Sequence, residues 1–383
     1  MDAPERATLK PAMRTESWTT LLGSDPRPWL LESNEPAARW VALTHLLDRQ
    51  VSDPEVAAAH RAVLDDPGTV SLIERITPWD ENTGAPGHHS PAYLPNLLSL
   101  LVDMGVGGGD DPRIEQILDD ILDRQDLEGR FLYLGKWRGA PEPQWGTLLC
   151  DHHAITEVLV RYGRGDHPAG LSALERMGTD LGDTDQGPAW RCIPDPQSGF
   201  RGPGRKAEQC PQVTVEALRA FSRVPSDLRP QGLAEVARTV LTAWRERGQR
   251  KPYLFGHGAK FKTVKWPVFW YGVYGVLDAL GRYPELWNGP HADPVDRRSL
   301  AELAACLVAY NVSADGTVTP RSIYRGFEQY SFGQKKQPSP FATALLSSVL
   351  RRFGDLTADV ASVDVMSLGS SRGGTGTPIA PKV

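Results

Sequence analysis

Three cysteines and a histidine, Cys150, Cys192, Cys210 and His257, are the residues whose types best suit chemistry in this 383-residue chain. Three thiolates and an imidazole would complete a tetrahedral zinc site. Such a site is structural if all four bind, and catalytic if only three bind and water holds the last position. Their spacing is not a C-x-x-C signature, so only a fold that gathers distant segments could make them one site. The fourth cysteine, Cys306, lies in the apolar run LAELAACLVAY and is assigned to packing.

Asp151 and His152 directly follow Cys150, and His88 and His89 sit in the loop GAPGHHSP. Each could act as an acid or base near neutral pH, so these four are the catalytic candidates. Tyr93, Trp145, Trp266, Trp270 and Tyr271 supply aromatic surface for an apolar substrate, whose cationic intermediates π faces can stabilise. Basic residues recur on loops, among them Arg321, Arg325 and Lys336. They suggest an anion held at the mouth of an apolar cavity, for example a prenyl diphosphate or a carboxylate.

These residues depend on the elements that position them. Five long helical segments begin with similar signals: Ser90-Pro91, Thr147, Cys210-Pro211, Lys265-Trp266-Pro267 and Ser339-Pro340. Proline suits the first helical position and serine caps it. The first four starts recur about every 56 to 64 residues, enough for two helices and a loop. The first helix of each pair reads as apolar nearly all round. The second, such as IEQILDDILDRQ, is amphipathic with period 3.6.

An inner apolar layer and an outer amphipathic layer follow, giving an all-α fold. Closure into an α/α toroid is expected over an open solenoid, because an open array would leave the inner aromatics wet. In a closed ring, every loop returning from an outer helix to the next inner one emerges at the same end. Cys150, Cys192, Cys210 and His257 then share one rim, where helix dipoles would favour thiolates. The expected organisation is a flexible segment over 1–20, a toroid domain over 21–355 and a disordered, Gly/Ser/Pro-rich tail over 367–383.

The formal charge of −5 and pI near 6.0 argue against a nucleic-acid partner. No apolar run is long enough for a membrane span, and the N-terminus lacks a signal peptide's apolar core, so a cytoplasmic address is expected.

The segment ILDRQDLEGRF, with Gln125, Gly129 and Phe131, resembles the Q-x-x-x-G-x-W/F repeat of the prenyltransferase and squalene cyclase superfamily, including bacterial squalene-cyclase-like proteins. Gly187 to Trp190 and Asp315-Gly316 occupy comparable positions between repeats. The resemblance implies an α/α toroid and an enzyme acting on an apolar, isoprenoid-like molecule, by cyclisation, isomerisation or transfer. It also implies that Asp151 or His152 could replace a cysteine as a zinc ligand, as in protein prenyltransferases. The D-x-D-D acid motif of class II cyclases is absent. A non-catalytic, zinc-stabilised scaffold or binding protein is the alternative.

Overall fold

The computed structural model describes residues 17–81, 90–135, 141–195, 199, 208–250, 255–256, 258–269, 271–290 and 292–368. Among these the chain is mostly helical. The helices are α1 (Thr19–Leu22), α2 (Arg27–Leu31), α3 (Pro36–Val41), α4 (Pro54–Asp65), α5 (Pro67–Ile73), α6 (Leu94–Met104), α7 (Pro112–Leu122) and α8 (Leu149–Arg161). They continue as α9 (Pro168–Asp180), α10 (Pro211–Phe221), α11 (Leu233–Arg245), α12 (Gly258–Lys262), α13 (Val273–Leu280), α14 (Pro294–Asn311), α15 (Pro340–Arg351) and α16 (Thr357–Ala361).

Capping chemistry explains many of the starts. The Asp111 carboxylate accepts the Arg113 N–H at 2.9 Å ahead of Pro112, and Ser339 Oγ accepts the Ala342 N–H at 3.1 Å ahead of α15. Two expected starts move. The chain from Ser90 makes a turn, the Tyr93 N–H reaching the Ser90 carbonyl at 3.2 Å, and α6 begins only at Leu94. Lys265-Trp266 forms an extended strand paired in parallel with Ser322-Ile323, so α13 waits until Val273.

Helix α3 packs on α6, α6 on α8, α8 on α10, α10 on α13 and α13 on α15, and α15 packs back on α3. Helices α4, α9, α11 and α14 each pack on the preceding member of this series. One continuous apolar core runs through both sets. The α15–α3 contact is held by polar bonds: Arg351 Nη1 donates to the His45 carbonyl at 2.8 Å and to Asp48 at 2.7 Å, and Ser331 Oγ donates to Glu35 at 2.7 Å.

The loops between repeats use glycine for close approach. Gln125 Nε2 donates to the Gly129 carbonyl at 2.9 Å and to the Ala169 carbonyl at 2.8 Å, tying the end of α7 to α9. Gly129 has φ +85°, and a Cβ there would lie 2.4 Å from Ser172 Oγ of α9. Gly187 repeats the device one unit later: its φ is +130°, and an added methyl would meet Thr239 Oγ1 of α11 at 2.4 Å. Phe131 and Trp190, two and three residues on, are fully buried.

Both domain boundaries shift outward. Trp18 is fully buried and Ser17 Oγ donates to the Gly354 carbonyl at 2.9 Å, so packed structure begins before residue 21. Helix α16 and a turn through Leu368, whose carbonyl accepts from Arg247 at 3.1 Å, carry it beyond 355. Residues 1–16 and 369–383 lie outside the described residues. No helix among the described residues is long and apolar enough to cross a membrane.

Candidate functional site

Helices α8 and α10 carry polar side chains at helical spacing. On α8 these are Glu157 and Arg161, and on α10 they are Gln212, Glu216 and Arg219, positions three or four residues apart, so each set shares one face. Between them lies a small cavity of about 40 Å³, lined by Ser99 of α6, Glu157 of α8, Gln212, Glu216 and Arg219 of α10, and the Tyr271 ring.

Its two glutamates are driven apart in acidity. Burial pushes Glu216 well above the ordinary carboxylate range, with the Glu157 charge adding to the rise and the Gln212 hydrogen bond opposing it. Burial also acts on Glu157, but Arg219, Arg161 and Arg223 together outweigh it and hold Glu157 below its usual value. Arg223 lies 3.2 Å and Arg219 3.5 Å from Glu157 Oε1. The two carboxyls facing the cavity are therefore pushed in opposite directions, Glu216 toward the protonated form and Glu157 toward the ionised one. The buried Glu216 Oε2 has no hydrogen-bond partner.

Toward the N-terminal ends of α8 and α10 the cluster continues through Asp151, Cys150 and Cys210. Burial pushes Asp151 up to about 7, opposed by the Leu148 backbone and by Tyr93. The Tyr93 hydroxyl nevertheless makes no well-formed hydrogen bond. The Cys150 thiol is raised by burial first, then by Asp151, Cys210, Glu216 and Cys192, so the three cysteines expected on one rim do feel one another's charge. Burial likewise drives Cys210 up to about 12. Burial thus acts against the thiolates that helix dipoles would favour at Cys150 and Cys210.

His152 turns away from this cluster. It is fully buried, its Nδ1 accepts the Phe131 N–H at 3.3 Å, and its ring lies against Phe131 and His153. Burial pulls its pKa well below the ordinary value, which suits a neutral imidazole packed in the core.

The expected substrate aromatics divide. Tyr93 and Tyr271 are buried at or beside the cluster, whereas Trp266 is a core side chain set edge-on to Tyr274 with ring centres 6.0 Å apart. Trp145 sits on a strand ahead of α8 with the Arg124 guanidinium 4.9 Å from its ring centre. Arg321, Arg325 and Lys336 are exposed and line neither the small cavity nor the larger one bordered by His45 and Arg352. Cys306 is fully buried in α14, as its apolar run suggests.

His88, His89, Trp270 and His257 lie outside the described residues. Among the described residues, no three His, Cys, Asp or Glu side chains are arranged to hold a metal ion. The soft, mutually coupled thiols have the donor chemistry zinc prefers, but without His257 they do not compose a ligand set by themselves.

Glu157, Glu216 and Arg219 are functional candidates that sequence reasoning passes over. Their signal is a polar residue every third or fourth position within a helix otherwise apolar. The chain was compared with protein-family models and with curated proteins, and it matches none of either.

Proposed function

We propose that this chain is an α/α-toroid enzyme, similar in build to the prenyltransferase and squalene cyclase superfamily, that transfers protons on an apolar, isoprenoid-like substrate along the ring axis. The cyclic order of helix contacts supports the toroid. The chemistry rests on one observation: two buried carboxyls pushed in opposite directions, Glu216 and Glu157, face one cavity beside Tyr271, whose roughly 40 Å³ admits only the reacting end of a substrate, so the helices must part to take in the rest. Glu216 is the acid, with a proton to give and no competing partner for Oε2. Glu157 stays ionised, so it is the group that balances developing positive charge. Asp151, pushed up to about 7, is placed to exchange protons between the cluster and the mouth.

Zinc enters this reading through Cys150, Cys192, Cys210 and His257. There it would supply Lewis acidity if a coordination position stayed open, and stiffness if none did. The deep burial of Cys150 favours a second reading, in which a closed metal site only braces the repeats of a binding scaffold.

Infrared spectroscopy tests the carrying observation. A protonated carboxyl band at pH 7 that Glu216→Gln removes is expected, and its absence in the parent protein would remove the proposed acid. Turnover is then assayed with squalene and geranylgeranyl diphosphate. Glu216→Gln should abolish conversion with the fold intact, whereas conversion unchanged by the substitution would defeat the assignment. Elemental analysis of purified protein decides whether zinc is bound stoichiometrically.

A further inference from the structure

We propose that the opposite end of the helix ring, where the inner helices finish, is a binding site for a small, multiply charged oxyanion. This inference does not depend on the enzymatic reading above. A cavity of about 700 Å³ opens there, and residues on or just after all six helices of the contact series line it: His45, Val102, Arg161, Arg223, Arg282 and Arg352. Arg351 joins them, giving five guanidiniums on the wall against two carboxylates, Asp48 and Asp355.

Three more carboxylates, Asp278, Glu157 and Asp103, lie behind the wall and fix the arginines from the rear, Asp103 pairing with Arg161. Asp278 accepts from Arg352 at 2.7 Å and from Arg282 at 3.0 Å, and Glu157 lies 3.2 Å from Arg223. Guanidiniums held at one edge present their remaining N–H groups forward, in the planar fork that matches phosphate and carboxylate oxygens. The Nε atoms of Arg282 and Arg351 are buried without any hydrogen-bond partner. The side chains of Arg223, Arg282 and Arg352 are 20%, 22% and 27% exposed, so a solute can reach them.

A purely structural role for these arginines is the competing account. Helix C-termini carry partial negative charge, and several of the arginines bond backbone carbonyls, as Arg352 does with Asp278 at 2.8 Å. That role needs no open cavity. The wall is also built unusually: α3 widens into a π-helical turn over Ala42–Leu46, and Asp48 has φ +52°, the one non-glycine residue with positive φ among those described. Both features border the cavity and fit a wall shaped around a ligand. The cations also repel one another. Enclosure, then Arg282 and Arg161, depress the Arg223 pKa to about 9 despite Glu157.

Calorimetric titration of the full chain with pyrophosphate and with citrate tests the site. Saturable binding of one or both is expected, weakening as salt rises. Arg223→Gln and Arg282→Gln should each weaken it at least about tenfold, while Arg124→Gln, on the far side over Trp145, leaves it unchanged. Pyrophosphate alone would assign a phosphoryl ligand, citrate alone a polycarboxylate. Binding of neither, or binding indifferent to both cavity substitutions, overturns the proposal. Should those variants not fold, phenylglyoxal labelling of the unaltered protein still decides. Arg223, Arg282 and Arg352 should be protected by the bound anion, and equal labelling with and without it rejects the site.

Discussion

Arg352 binds Asp278 twice through a single nitrogen, Nη1 donating to the carboxylate at 2.7 Å and to the backbone carbonyl at 2.8 Å. The bond joins α15 to α13, and the same carboxylate takes Arg219 of α10 at 2.9 Å. Residues of three helices in the contact series thus meet on one buried side chain.

Asp278→Asn should therefore be severely destabilising, because it leaves several guanidiniums facing one another without their shared anion. Removing one partner of a buried ionic cluster costs about 3–5 kcal/mol. Urea denaturation measures it, and a loss under about 1 kcal/mol would show that the helix carbonyls alone hold these arginines.

Acid should weaken the protein in a window set by its buried histidines. Burial depresses the His153 pKa to about 4, while an unfolded histidine titrates near 6.5, so the unfolded chain takes up protons first as pH falls. The stability from neutral His153 is complete above about pH 6.5 and fades toward pH 4, on the order of 3 kcal/mol by then. His153 Nδ1 faces the Val213 carbonyl at 2.9 Å and Nε2 is unpartnered, so a second proton would find no acceptor. Stability measured against pH should flatten in His153→Gln.

Asp151 has the opposite sign. Its folded pKa, about 7, lies above the unfolded value near 3.9, so its contribution is complete below that lower value and is lost as pH rises through 7. Asp151→Asn keeps the shape and removes the charge. It should raise the melting temperature most at pH 8, less at pH 5 and little at pH 3.5; an equal shift at all three would contradict the assignment.

Gly187→Ala should cost about 2 kcal/mol or more, through a left-handed backbone and a methyl 2.4 Å from Thr239 Oγ1. Pairing it with Thr239→Ala separates the causes. Partial rescue is expected, since the collision is relieved and the backbone strain is not.

Helix starts marked by a proline and a capping side chain were legible in the sequence, as at Pro112 and Pro340. Pro267 misled because proline suits an extended segment as well as a first helical turn, and here the strand at Lys265-Trp266 claims it. Repeat geometry put Cys150, Cys192 and Cys210 on one rim, but the burial of Cys150 that raises its thiol was not legible, since burial depth is invisible in a spacing pattern. The charged stripe of Glu157, Arg161, Glu216, Arg219, Asp278 and Arg282 was missed for a related reason. Periodicity tells which residues share a face and not whether that face meets bulk water or an enclosed axis.

The bond between Arg351 and Asp48 spans 303 residues of sequence, and it helps to join α15 to α3. Bringing ends so distant together carries a chain entropy of about 5 kcal/mol, recovered only when α15 arrives. During synthesis α3 leaves the ribosome long before α15 exists. Its apolar flank must wait uncovered, an adhesive edge on the nascent chain. The last repeat is thus a clasp, and truncation before Ser339 should yield a chain that aggregates or recruits chaperones, however well its earlier hairpins have formed.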